Sequence, residues 1–419
     1  MRSCINKNLR AALLFLMIFV LTGCTVSAGN TPAGLKAENL LSGVRAKEVE
    51  ERNVDAAFRV AQYQYGISLL RASAQASDNS TLMISPLSLE LALAMAANGA
   101  EGETLTQLLT LFGASSLQEL NEILHSCAEN LGKECSAANS IWLRDGAAEP
   151  EAAFLQSAAD YYNAEIYRAA FDQSTVTDIN HWVREKTDGM IGELLQNIGL
   201  EDLIYLLNAV CFDAKWEVPY RDEDVMTGTF LAKNGMEEKA EFMLSTEHRY
   251  ISDDHAQGFI KNYEDSRFRF VAILPERGMD VFDYLEELDG SHLRRMISEA
   301  SSERVLTKLP KFTTRSTVDM VQALRSMGIN APFDNAEYPG FGGSASITGI
   351  QQKTYIDVGQ EGTRAAAVTG VTAAGAAPAQ QPRTVYLDRP FIYMILDGNS
   401  ELPIFMGVVA NVVNDCGMP

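Results

Sequence analysis

Side chains that could carry out covalent chemistry are few in this sequence and poorly arranged for it. There are five histidines, His125, His181, His248, His255 and His292. None accompanies a nucleophile elbow, because Gly342-Gly343-Ser344-Ala345-Ser346 lacks the final glycine of a G-x-S-x-G turn. His248 and His255 flank Asp253-Asp254, a spacing that suits a solvated turn better than a metal site. The body holds Cys127, Cys135, Cys211 and Cys416 with no C-x-x-C pair. Cys127 and Cys135 suit a local bridge in an exported protein and suit two buried thiols equally well. No catalytic group, metal or cofactor is expected, and the chain does not read as an enzyme. The stretch from about Gly362 to Pro382 is rich in Ala, Gly and Thr and carries no group of its own for covalent chemistry. Taken alone, that composition reads as a flexible loop or linker.

A second reactive position stands near the N-terminus. Arg2, Lys7 and Arg10 lead into an apolar run from Ala11 to Leu21, followed by Thr22-Gly23-Cys24. The run is too short for a helix across a bilayer, which needs about 20 residues, and it suits the core of an export signal. The ending Leu21-Thr22-Gly23-Cys24 resembles the lipobox of bacterial lipoproteins, in which lipid is attached to the cysteine sulfur before the chain is cut ahead of it. That resemblance implies a signal peptide over 1–23, lipidation of Cys24, and an exported protein anchored to the bacterial membrane or cell surface. Residues 24–50 are Gly-, Ser- and charge-rich without a strong period and read as a flexible tether.

Ordered elements begin beyond it. Ala57, Val60, Ala61 and Tyr65 mark an apolar helical face after Val54. Pro86 is placed to start a helix over Leu87–Asn98, which Gly99 and Gly102 stop. Alternating runs predict strands over Phe268–Leu274, Val305–Phe312, Thr354–Val358, Phe391–Leu396 and Ile404–Val409. Helices are expected over Ile179–Leu195 and Val318–Met327. The two types intersperse without a βαβ rhythm, so the class is α+β. A length of 419 residues would allow two or three domains. No repeat or Pro/Ser-rich linker divides the chain, and residues 51–419 are expected to form one domain. The net charge of −21 argues against nucleic acid and polyanions as partners and favours a monomer whose copies repel.

Several motifs, in order along nearly the whole body, resemble the serpin family. They include Ile84-Ser85-Pro86-Leu87-Ser88, Asn98-Gly99-Ala100-Glu101-Gly102-Glu103-Thr104 and Ile179-Asn180-x-Trp182-Val183. Further on come Asn208-Ala209-Val210-x-Phe212-x-Ala214-Lys215-Trp216-Glu217-x-Pro219-Tyr220, Leu309-Pro310-Lys311-Phe312, and Met327-Gly328-Ile329 ahead of Phe333. Val358–Thr369, Asp388-Arg389-Pro390-Phe391 and Phe405-Met406-Gly407 complete the set. The resemblance implies three β-sheets, eight or nine helices and an exposed reactive loop over about 360–382. It also implies a suicide-substrate inhibitor, cleaved by a serine protease and inserting its loop as a new strand while the protease stays covalently attached. Family spacing puts the scissile bond near Ala376-Ala377. The hinge positions are Glu361, Gly362, Thr363, Ala365, Ala366 and Ala367. Ser85, Ser88 and Asn208 match a polar shutter beneath the main sheet, and Trp216 matches the tryptophan where the loop enters it.

The loop has a physical reading beside that resemblance. A central strand tolerates no Pro and must present two alternating faces. From Thr363 to Ala376 there is no Pro, and the first is Pro378. One face reads Thr363, Ala365, Ala367, Thr369, Val371, Ala373, all small and uncharged, while Arg364 falls on the other. Alanine at the cleaved bond suits elastase-like enzymes, or subtilisin-like ones, and opposes enzymes that need a basic side chain. The sequence departs from the family in four places. Gln352 stands where a shutter His is usual, Gln360 precedes Glu361 where two acids are common, Arg364 replaces an acid, and Val408 follows Gly407 where Arg is favoured. None adds bulk to the inward face.

Overall fold

The computed structural model describes residues 34–147, 149–199, 201–342, 346–363 and 381–412. Among them are nine α-helices and three β-sheets, an α+β arrangement. The largest sheet runs Glu38–Asn39, Glu165–Ala169, Cys135–Arg144, Ile204–Phe212, Ile347–Val358, with Phe312–Asp319 outside the last. Ile204–Phe212 and Ile347–Val358 are parallel neighbours, paired from Ile347 opposite Ile204, across an irregularity at Ile347–Gly349, and then in register from Gly349 opposite Tyr205 to Tyr355 opposite Cys211.

All nine residues of Ile204–Phe212 are buried, because both faces of the sheet are covered. Ile204, Leu206, Val210 and Phe212 enter the main core. Tyr205, Leu207, Ala209 and Cys211 pack into a second cluster with Ile179 and Trp182. In the first set only Asn208 is polar, and it is fully buried. Helix Pro86–Ala97 lies on that same side. It opens at Ser85, whose hydroxyl accepts from Ser88 N, and every one of its residues is buried, so apart from Ser88 and Glu90 its sequence is apolar all round rather than striped.

The second sheet runs Leu82–Ile84, Pro403–Val409, Phe391–Asp397, Phe268–Pro275, Ala256–Asn262, Tyr250–Ser252. The third runs Arg383–Tyr386, Val305–Pro310, Glu237–Glu247, Val225–Leu231, the first pair parallel. The strand expected as Val305–Phe312 is therefore two. Val305–Pro310 belongs to the third sheet and Phe312–Asp319 to the first, and the chain changes sheets at Lys311. The helix expected over Ile179–Leu195 lies instead at Gln173–Lys186, capped by Asp172, whose carboxylate accepts from Ser174 N. It stops before Asp188 and Gly189, both at positive φ. The one expected at Val318–Met327 begins at Met320, where Asp319 caps it.

Part of the segment read as a tether is docked. Glu38–Asn39 pairs with Arg168 and Tyr167, and Leu41 is buried. The Asp178 carboxylate accepts from Lys36 N and Ala37 N, both at 2.8 Å. These contacts hold residues 36–41 to the sheet edge, a role that composition alone does not reveal.

Candidate functional site

Three of the hinge residues are described. Gly362–Thr363 forms a two-residue strand between Ile347–Val358 and Ala214–Lys215, pairing Thr363 with Val358 on one side and Ala214 on the other. It sits at one end of the seam whose remaining length is closed by direct pairing of Ile204–Phe212 with Ile347–Val358. Gly362 is required there: a Cβ would fall 2.2 Å from Ala214 O, a backbone atom that cannot swing aside. Thr363 is fully buried, and its Oγ1 lies 2.7 Å from the Tyr263 hydroxyl. Burial pushes that phenol well above its ordinary value, so it stays protonated. Ala365, Ala366, Ala367, Ala376 and Ala377 lie outside the described residues, as does Cys24.

The segment after Ala214–Lys215 grips the hinge by its carbonyls. Trp216 N donates to Glu361 O at 3.0 Å and Tyr220 N to Gln360 O at 2.9 Å. The Trp216 indole donates to Gly359 O at 2.9 Å and stacks on Tyr263 with ring centroids 4.3 Å apart. Gln360 is tied twice more, accepting from Lys311 Nζ at 2.8 Å and donating to Asp222 Oδ1 at 3.0 Å. A neutral amide therefore fills the place where the family commonly has an acid, and it still bridges the cation to the opposite wall.

Midway along the seam a polar cluster bridges the two strands from below. Gln352 stands opposite Asn208 in register. Its Nε2 donates to Asn208 Oδ1 at 2.6 Å and Ser85 O at 2.9 Å, while its Oε1 accepts from Ser85 N at 2.8 Å. Asn208 Nδ2 donates to Ser88 O at 2.9 Å, Ser88 Oγ at 2.5 Å and Asn139 Oδ1 at 2.5 Å. Ser85 Oγ donates to Ile404 O at 2.7 Å. The structure thus brings Ser85, Ser88 and Asn208 together at full burial, where each satisfied bond offsets desolvation. In the sequence Gln352 stands out only as a departure from the family, and nothing marks Asn139. The odd polar residue in an otherwise apolar strand was the available signal.

Elsewhere the candidates for catalysis resolve into structure. Asp253 Oδ1 caps a turn, accepting from His255 N and Ala256 N, while Oδ2 accepts from Tyr284 at 2.7 Å and meets His292 Nε2 at 2.9 Å. No cluster among the described residues has the His, Cys, Asp or Glu arrangement of a metal site. Cys127, Cys135 and Cys211 are buried free thiols, so Cys127 and Cys135 are not bridged. Burial pushes the Cys127 and Cys135 thiols far up, which leaves them unreactive.

A main sheet with a closed parallel seam, a polar cluster beneath it and a hinge strand lodged at one end is the architecture of a serpin. The chain belongs to that family: the family model described as serpin (serine protease inhibitor) matches residues 60–412. A serpin-like protein of Thermococcus kodakarensis is 28% identical over 351 residues, covering 80% of this chain and 82% of its own. Serpin A3-1 of Bos taurus is 27% identical, covering 93% and 98%. Among solved structures, the thermophilic serpin tengpin in its native state is 40% identical, with TM-score 0.85, over 90% of this chain and all of its own. Tengpin in its latent state superposes less closely, at TM-score 0.76 and 39% identity. The chain is thus of an inhibitor family rather than a family of catalysts.

Proposed function

We propose that this protein inhibits serine proteases as a suicide substrate. The observation that carries the reading is the buried Gly362–Thr363 pair, a strand of two residues lodged at one end of a seam long enough for a full strand. A protease serine attacks the carbonyl of Ala376; its Oγ forms an ester, the Ala376–Ala377 peptide bond breaks, and the new Ala377 amine leaves with a proton. The loop, freed at that end, extends the existing hinge strand down the seam. A new central strand forms ladder hydrogen bonds on both sides in exchange for the single ladder that closed the seam, each bond gained being worth about 1 kcal/mol net, and carries the acylated protease with it before water can hydrolyse the ester. Insertion and deacylation race, so the rate of seam opening sets the fraction trapped.

In this reading Ser85, Ser88, Asn208 and Gln352 form the shutter, whose bonds must break as the strands part. Trp216 fixes the point of loop entry. Alanine at the cleaved bond favours elastase-like or subtilisin-like targets, and the lipobox-like motif at Cys24 supports an inhibitor anchored to a bacterial membrane or cell surface. Incubation with an elastase followed by a denaturing gel is the test. A complex stable to denaturation supports trapping. Complete cleavage with no complex would make the protein a substrate or a non-inhibitory serpin, and an uncut loop would favour a surface binding protein.

A further inference from the structure

Lys261 is a cation buried to 4% side-chain exposure, next to the hinge but outside its hydrogen-bond network. A charge so placed is costly unless paired and fully bonded. Its ammonium lies 3.0 Å from Glu247 Oε1 and donates to Val218 O at 3.2 Å. It sits 4.5 Å from the Tyr220 ring centroid and 5.4 Å from that of Trp216, within the range of cation–π attraction. Glu247 Oε1 is itself held, accepting from Ser245 Oγ at 2.6 Å. Lys261 belongs to the second sheet, in Ala256–Asn262, and Glu247 to the third, in Glu237–Glu247. Their ion pair therefore fastens two sheets together across the 216–220 segment and presses on both aromatic rings within it.

Those two aromatic residues are the ones whose amides hold the hinge carbonyls of Glu361 and Gln360. We infer that Lys261 is a positioning residue for loop insertion. Its buried pair with Glu247 clamps the 216–220 segment and keeps the hinge at two inserted residues until the loop is cut. The inference rests on the insertion reading above. Without the clamp the segment can shift, the grip on the hinge carbonyls weakens, and the uncut loop slides into the seam unprompted. A general stabilising role would have a different signature, since it would act on the whole fold and not on these two amides.

The test compares Lys261→Met in the full-length protein with Leu108→Ala, a core truncation in the distant helix Gly102–Phe112. Amide exchange at Trp216 and Tyr220 is measured, together with the lifetime of the native form on native gels. In Lys261→Met both amides should exchange at least about tenfold faster than in Leu108→Ala, with a correspondingly shorter native lifetime. Equal behaviour of the two variants in both readouts would overturn the proposal. If Lys261→Met does not accumulate folded, Glu247→Gln carries the same comparison and the same expected outcome. Neither readout involves a protease, so a protein that trapped no enzyme would sink the inhibitor reading and leave this result separate.

Discussion

The Tyr263 hydroxyl lies 2.7 Å from Thr363 Oγ1, so the first inward-facing residue of the loop is already anchored beneath the sheet before any cleavage. The alternation along Thr363–Ala374 continues from this point. A side chain placed here meets no solvent, and what it is decides whether the following residues can enter.

Thr363→Arg forces a charge into a position with no exposure. Desolvating an unpaired charge costs several kcal/mol, of order 5 or less after relaxation, and insertion slows accordingly. The variant should still be cut at the same bond while the trapped fraction falls by about tenfold or more, read as the moles of inhibitor consumed per mole of protease silenced. Thr363→Val keeps shape and burial and should retain most of the trapping. Undiminished trapping by Thr363→Arg would refute inward placement.

Gln352→Leu removes three bonds at once, two to the Ser85 backbone and one to Asn208 Oδ1. Buried groups left without partners cost about 1–3 kcal/mol each. The variant should unfold at a lower denaturant midpoint and pass sooner from the native form into inserted or polymeric species, followed by native gel.

The polar cluster of Ser85, Ser88, Asn139, Asn208 and Gln352 contains no titratable side chain. Native-state lifetime should therefore owe no pH dependence to this cluster between pH 5.5 and 7.5, a range of about two units around the ordinary His value. In Gln352→His a ring nitrogen would replace Oε1 as acceptor for Ser85 N. Burial depresses a histidine's folded-state value, so stability is lost as pH falls. That variant alone should shorten in lifetime toward pH 5.5.

Glu90 provides a second pH test. It is fully buried on helix Pro86–Ala97, with Gln62 Nε2 donating to Oε1 at 2.7 Å and no hydrogen-bond partner at Oε2 among the described residues. Burial pushes its carboxyl well above the ordinary value of 4.5, with the Gln62 bond opposing. The folded state thus keeps a proton that the unfolded chain releases. That stability is full below the unfolded value and is lost as pH rises toward the folded one. Relative to Glu90→Gln, the wild-type unfolding free energy should fall as pH rises above the unfolded value, by at most about 1.4 kcal/mol per pH unit while the folded carboxyl keeps its proton. Parallel curves in urea titrations would show the carboxyl to be ionised already.

Local chemistry was legible in the sequence where one segment carried its own signal. Pro86 after Ser85 marked the helix start, and the apolar runs at Phe268–Pro275 and Phe391–Asp397 gave central strands of the second sheet. The alternation of the loop placed Thr363 inward. Long-range partners were not legible: Ser85 and Gln352 stand 267 residues apart, and Thr363 and Tyr263 stand 100 apart. No periodicity encodes such meetings. The docking of residues 36–41 was hidden for a related reason, since Asp178 acts on that backbone from 141 residues away. Lys261 carried no motif, and only its burial beside Trp216 and Tyr220 singles it out.

Thermal unfolding before and after a single cut near Ala376-Ala377 is the most direct test of loop insertion. If the loop becomes a central strand between Ile204–Phe212 and Ile347–Val358, the cut protein should unfold well over about 10 °C higher, because each added kcal/mol raises the midpoint by a degree or more in a domain this size. An unchanged or lower midpoint in the cut protein would contradict insertion, and with it the proposed mode of inhibition.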